Sequence, residues 1–251
     1  IKPGDKIIAV AQDDNEAVDV VEMKLNKVVQ LIRGELKTKV KLTIIPAKSV
    51  DGSETRELTL VREKIELKEQ FAKARIIELP VATGKTRRLA VLTVPQYYEN
   101  VAADTALILK RLKNENVEGI ALDLRRNGGG ILPEAVELTG LFFPEGPVVQ
   151  VQNFVKQKQV LNDEDPSTVY DGPLVVMVSH LSASAAEITA AALQDYGRAV
   201  IVGDKTTHGK GTVQTLVELK RFKDTPAESG LLKYTISKFY RVEGSTTQRN
   251  G

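Results

Sequence analysis

Three short runs, "GIALDL" (119–124), "PLVVMV" (173–178) and "AVIV" (199–202), are apolar without alternation. A strand apolar at every position must be covered on both faces, which is the situation of a parallel sheet flanked by helices. The neighbouring segments supply those helices. "VAADTALILKRLKNENVEG" places Ala102, Ala106, Leu109 and Leu112 on one helical face, and "PEAVELTGLFF" opens with Pro133, which suits a first helical turn. "HLSASAAEITAAALQDYGRA" (180–199) turns from small hydroxyl and methyl residues into a further helix. With "RLAVLTV" (88–94) as an earlier strand, residues 76–251 read as one α/β unit, a mostly parallel sheet with helices. "LLKYTISKFYRV" mostly alternates and reads as a late strand.

Residues 1–62 have a different texture and read as a small separate unit. "GDKIIAVAQ" is a turn and a strand. "AVDVVEMKLNKVVQLIRG" spaces Val21, Leu25, Val28 and Ile32 by three and four, which predicts a helix over residues 17–33 ending at Gly34. "KVKLTIIP" and "TRELTLVR" are strands around the polar turn "AKSVDGSE". The charged stretch 63–75 is a linker or a strand leading into the second unit. A length of 251 residues accommodates both units. The net charge of +2 gives no reason to invoke nucleic acid, and no apolar run reaches the ~18 residues that span a bilayer. The absence of cysteine excludes thiol catalysis, disulfides and cysteine metal sites. Ile1 at the start and "TTQRNG" at the end read as a fragment or processed form.

Three polar clusters follow the strands of the α/β unit, where such folds build their sites. They are "DLRRNGGG" (123–130), "HLSASAAE" (180–187) and "GDKTTHGKGTVQ" (203–214). Each alone has a bland reading: a tight turn, a helix cap, a solvated loop. Three converging on one sheet edge are harder to dismiss. Ser184 lies closest to the helix proper and is the candidate nucleophile, with Ser182 earlier on the turn. At a helix start the Ala185 N–H is a free donor reinforced by the helix dipole, suited to an oxyanion. A glycine of the 128–130 run could supply a second N–H, since backbone without Cβ approaches substrate closely.

A base is then required. The chain has two histidines. His180 precedes Ser184 by four residues and would have to double back; His208 is geometrically possible. Two histidines 28 residues apart make a poor zinc site. Lys210 is the other candidate. A free lysine has a pKa near ~10.4, so about one in 2,500 is neutral at pH 7, but burial can lower that pKa enough for serine–lysine chemistry. Gly209 and Gly211 would let the backbone turn the side chain inward. A phosphate loop is excluded, because five residues separate Gly203 from Gly209 and glycine follows the lysine.

The ordered combination "DLRRNGGG … SASAAE … GKGTVQ" resembles the C-terminal processing serine peptidases, over nearly the whole chain. The resemblance implies a crotonase-like protease core at 76–251, a linker at 63–75, and most of a PDZ domain at 1–62 that recognises substrate tails. It implies Ser184 as nucleophile, Lys210 as general base and Gln214 as the glutamine that orients the lysine. It also implies oxyanion donors at Ala185 and at Gly129 or Gly130, with Gly130 favoured, and no metal, nucleotide or other cofactor. Asp195 is read as structural. The loop before Lys210 is one residue longer than the family pattern, and Ala186 stands where a third serine is common. The expected function is a serine endopeptidase that degrades or processes proteins with nonpolar C-terminal tails in a Gram-negative periplasm, with an adaptor or regulatory protein as a possible partner. The PDZ carboxylate-binding loop would precede Ile1, so tail capture is expected to be impaired. Two other readings stay open: a PDZ-bearing scaffold with an inactive core, and a crotonase-like acyl-CoA enzyme.

Overall fold

The computed structural model describes residues 1–49, 51–64, 68–81, 84, 86–222 and 230–251. The chain divides into two compact units, Ile1–Glu66 and Leu67–Gly251. Val50 of the expected turn and residues 65–67 of the expected linker lie outside the described residues.

In the smaller unit, β1 (Lys6–Gln12), β2 (Val18–Asp19), β3 (Lys39–Ile45) and β4 (Arg56–Val61) form an antiparallel sheet in the order β2-β1-β3-β4, with one helix, α1 (Leu25–Ile32). Strict alternation in β3 buries Val40, Leu42 and Ile44 and turns Lys39, Lys41 and Thr43 to the other face. Val28, Leu31 and Ile32 of α1 pack on this core. The predicted helix over 17–33 is too long: its first part is β2 and a turn. Val18 and Asp19 pair with Val10 and Ala9, and Glu22 has φ of 63°, which no helix accommodates. The β-branched "VDVV" satisfies its backbone on the sheet instead, and Val21 and Leu25 of the helical spacing stay exposed. Arg62 closes the end of α1: its guanidinium donates to the Ile32 carbonyl at 2.8 Å and to Gln12 Oε1 at 2.6 Å.

The larger unit is built on a five-stranded sheet in the order β11-β10-β7-β6-β5. Its strands are β5 (Lys73–Pro80), β6 (Thr86–Thr93), β7 (Gly119–Asp123), β10 (Leu174–Val178) and β11 (Val200–Gly203). All neighbours are parallel except β5, which runs antiparallel to β6. Residues 73–75 of the charged stretch are therefore strand. The helices are α2 (Val101–Asn114), α3 (Leu132–Gly140) and α4 (Ala185–Asp195), and α3 packs against both others. The core joins the middle strands to the buried faces of these helices: Leu92, Leu122 and Val176 from strands, Leu109, Leu138, Ile188 and Leu193 from helices. Among these apolar groups sits a polar chain. Tyr97 donates to Thr189 at 2.7 Å, and Thr139 donates to the Ala135 carbonyl and bonds Thr189 at 2.9 Å. Burial pushes the Tyr97 phenol well above its usual range, so it stays a neutral donor.

A single mostly parallel sheet is too simple a description of this unit. β8 (Gly146–Asn153), β9 (Lys158–Asp163), β12 (Thr212–Glu218) and β13 (Leu231–Tyr240) form a second, wholly antiparallel sheet in the order β12-β13-β8-β9. "PVVQVQN" and "TVQTLVE" bury only alternate or partial faces, so their apolar signal is half that of the central strands.

Candidate active site

Ser184 is the N-cap of α4, with φ of 58° and ψ of −113°, a backbone state that non-glycine residues rarely adopt. The turn is held from behind. Gly129, at φ of 102°, lies so close that a Cβ there would stand 2.8 Å from Ser184 Cβ and 2.9 Å from the Ala183 carbonyl oxygen. Ser182 is fully buried. Its hydroxyl donates to the Leu124 carbonyl at 2.8 Å and accepts the Ser179 N–H at 2.9 Å. Of the two serines, Ser182 thus builds the turn and Ser184 is presented by it.

Asn127 fixes the glycine loop against that turn. It is fully buried; its amide donates to the Val94 carbonyl at 2.9 Å, and its Oδ1 accepts the Gly129 N–H at 2.8 Å. Its backbone carbonyl accepts the Ala183 N–H at 2.9 Å. The Gly129 N–H is thereby occupied. The N–H groups of Gly130 and Ala185 have no protein acceptor among the described residues, and both residues line the cavity that holds Ser184.

Lys210 Nζ lies 3.3 Å from Ser184 Oγ. Burial lowers the pKa of the Lys210 ammonium below the ordinary lysine range; the charge of Lys233 lowers it further, and that of Glu187 opposes. Gln214 lines the same cavity but gives its amide to Thr212 Oγ1 at 2.7 Å and Thr235 Oγ1 at 3.4 Å; no bond joins it to Lys210 among the described residues. His180 pairs with Asp204 at 2.7 Å on the surface, and the His208 N–H donates to the Ser182 carbonyl at 3.0 Å. Neither ring bonds Ser184 among the described residues. Asp195 is buried in an ion pair with Arg241, away from the cavity.

Glu187, quoted within the motif but given no role by the sequence, links the serine turn to the lysine loop. This carboxylate is 2% exposed. Its Oε2 accepts the N–H of Ser184 at 2.6 Å and of Lys210 at 3.1 Å; its Oε1 accepts the Gly209 N–H and the Thr207 hydroxyl, each at 2.7 Å. The spacing Ser-x-x-Glu at a helix start is a capping-box signal that could have found it. The lysine loop is clasped from its other side by residues 247–249. The Thr247 hydroxyl donates to the Lys210 carbonyl at 2.8 Å, Gln248 Oε1 accepts the Gly211 N–H at 2.8 Å, and the Arg249 N–H donates to the Gly209 carbonyl at 2.8 Å.

The cavity around Ser184, about 280 Å³, is walled by Leu132, Ile188, Val213 and Phe239 and by the polar groups above. A larger one of about 570 Å³, lined by Asp123, Arg125, Arg126 and Ser179, lies at the C-terminal ends of β6, β7 and β10 and includes neither Ser184 nor Lys210.

The model of peptidase family S41 matches residues 88–251. The chain belongs to this peptidase family. Among curated relatives it is similar to the tail-specific protease of Haemophilus influenzae, 44% identical over all of this chain and 35% of that protein. It is 34% identical to the carboxyl-terminal-processing protease of Synechocystis, over 87% of this chain and 48% of the relative. This chain thus spans between a third and a half of those proteins. Among solved structures it resembles the photosystem II D1 C-terminal processing protease, with a TM-score of 0.61 and 25% identity over 99% of this chain and 61% of that one.

Proposed function

We propose that this S41 chain carries the catalytic centre of a serine endopeptidase that works with a serine–lysine dyad. The observation that carries the reading is the 3.3 Å approach of Lys210 Nζ to Ser184 Oγ, with the amine partly buried. Neutral Lys210 takes the hydroxyl proton as Ser184 Oγ bonds to the peptide carbonyl carbon. The C–N bond then breaks, and Lys210 returns the proton to the leaving amine. Water, deprotonated by the same amine, releases the acyl group. The oxyanion would accept from the Ala185 and Gly130 N–H groups, neither of which has an acceptor among the described residues. Gln214, the glutamine expected to orient Lys210, walls the same cavity, with its amide held by Thr212 and Thr235.

We infer the substrate class from the family resemblance: proteins cleaved according to an apolar C-terminal tail, in the periplasm, with an adaptor as a further partner. The 44% identity to a protein named tail-specific protease supports the reading of a tail-directed peptidase. The smaller unit, an antiparallel sheet with one helix, is read as most of a PDZ domain that binds such tails by strand addition. The larger unit is read as crotonase-like, with successive parallel strands delivering the glycine loop, serine and lysine to one edge. No helix among the described residues is long and apolar enough to cross a membrane.

The test is incubation of the chain with an unfolded protein ending in an apolar tail. Cleavage is expected, and it is expected to vanish in both Ser184→Ala and Lys210→Ala. Cleavage that survives either change refutes the dyad. Thioester turnover that survives Lys210→Ala would favour acyl-CoA chemistry instead, and tail binding without cleavage would favour a scaffold.

A further inference from the structure

Lys233 stands 23 residues beyond Lys210 in sequence and on a different strand, yet both line the cavity of Ser184. Its place is set by the second sheet. On β13, Lys233 pairs with Leu216 and Thr235 pairs with Gln214. Residues two apart on a strand share a face, and the Thr235 hydroxyl meets the Gln214 amide. Lys233 therefore projects from the same face as Thr235, beside the cleft and not behind the sheet.

We propose that Lys233 is a positioning residue for the general base: its ammonium faces the cleft that holds the Lys210 amine and keeps that amine in its neutral, proton-accepting form. This inference rests on the reading of Lys210 as base. The physical reason is like-charge repulsion. A second cation beside a partly buried amine makes protonation of that amine more costly, and partial burial weakens the solvent screening that would cancel the effect. Among the described residues, the charges acting on Lys210 are Lys233 from β13 and Glu187 from α4, and they oppose each other. The Glu187 carboxylate is already occupied by three backbone N–H groups and a hydroxyl. Gln214 and Thr212 of β12 and Thr247 of the clasp bring no charge. Burial starts the change in Lys210, and Lys233 carries it in the same direction against the nearby carboxylate.

The test uses two readouts on the intact chain. The first is the rate at which a fluorophosphonate labels Ser184 as a function of pH. In that reaction Oγ bonds to phosphorus, fluoride leaves, and the hydroxyl proton passes to Lys210. The second is competitive acylation of amines read by mass spectrometry at the Lys210 peptide, which titrates that amine whether or not the serine reacts. In Lys233→Met both midpoints are expected to move to higher pH, with the alkaline plateau rate retained. Labelling at pH 7 falls tenfold for each unit of that movement. Lys233→Glu moves them further, and Lys233→Arg keeps them at the wild-type position. Because Lys233 is exposed, 1 M salt, which shortens the screening length to ~3 Å, is expected to raise the wild-type midpoint and leave that of Lys233→Met in place. An unchanged Lys210 midpoint in Lys233→Met overturns the inference. So does a variant whose only defect is a higher KM for peptide, since Lys233 would then hold substrate. If the Lys210 midpoint moves as expected but Ser184 is never labelled, the electrostatic inference stands and the assignment of Lys210 as base fails.

Discussion

Replacing Glu187 by glutamine tests whether one buried carboxylate holds the two halves of the site together. The wild-type group accepts four hydrogen bonds, two at each oxygen. Glutamine keeps one oxygen and turns the other position into a donor. The better orientation leaves the oxygen toward Ser184 and Lys210 and points the NH₂ at Thr207 and Gly209. Thr207 can rotate its hydroxyl to accept; the Gly209 N–H cannot adapt. One buried N–H is then orphaned, at about 1–3 kcal/mol. The two bonds retained lose charge assistance, which makes bonds to a charged group worth up to ~1.5 kcal/mol more than neutral ones. The expected loss for Glu187→Gln is therefore roughly 1–6 kcal/mol. Glu187→Ala orphans all three N–H groups, for roughly 3–9 kcal/mol, comparable to the whole stability of a domain. The measurement is urea unfolding followed by far-ultraviolet circular dichroism, reading the transition of the larger unit. Amide exchange at Ser184, Gly209 and Lys210 is followed in parallel, and exchange at Gly209 should accelerate most. A Glu187→Gln variant within ~0.5 kcal/mol of wild type, with unchanged exchange at those amides, refutes this account of the site.

Gly129→Ala should abolish Ser184 labelling and lower the melting temperature, because the new Cβ meets Ser184 Cβ at 2.8 Å and the backbone sits at φ of 102°; an active, stable variant overturns that reading. Asp195→Ala leaves Arg241 without its ion-pair partner, at about 3–5 kcal/mol in denaturant unfolding, yet labelling per folded molecule should not change. Lys210→Met should be more stable than wild type at pH below the folded Lys210 value, where it removes a partly buried cation. The sign follows from the lowered Lys210 pKa: as pH rises through the folded value, the native chain loses its proton before the unfolded chain does. Wild-type stability therefore climbs, and the advantage of Lys210→Met, measured by denaturant midpoints from pH 6 to 11, should shrink. The Asp123 carboxyl is held below its usual range by the Arg125 guanidinium and N–H. Its contribution is present above the unfolded value and lost as pH falls through the folded one, so Arg125→Ala should flatten the acid limb of the stability profile.

The candidate site was legible in sequence where its chemistry is local. Helix-start serines, a glycine run and a glycine-flanked lysine each announce backbone geometry within a few residues. The central strands were legible because burial on both faces leaves no polar interruption. What escaped were features that depend on distant partners. The strand at 18–19 hid within a helical spacing of valines because only pairing with β1 selects the extended state. The second sheet was obscured by half-exposed strands. Asn127 and Glu187 look like an ordinary turn residue and an ordinary cap until their long-range acceptors and donors are placed. Lys233 gave no signal, since one lysine in a strand resembles any other.

The clasp at residues 247–249 has a consequence for timing. The backbone on both sides of Lys210 is tied to groups that emerge from the ribosome some forty residues after it. A nascent chain can fold its central strands and expose the serine turn while the lysine segment is still unsecured. Within residues 1–251 the lysine side of the candidate site is thus secured after the serine side, and a single cut just before Thr247 would free the lysine segment without touching Ser184 or Lys210.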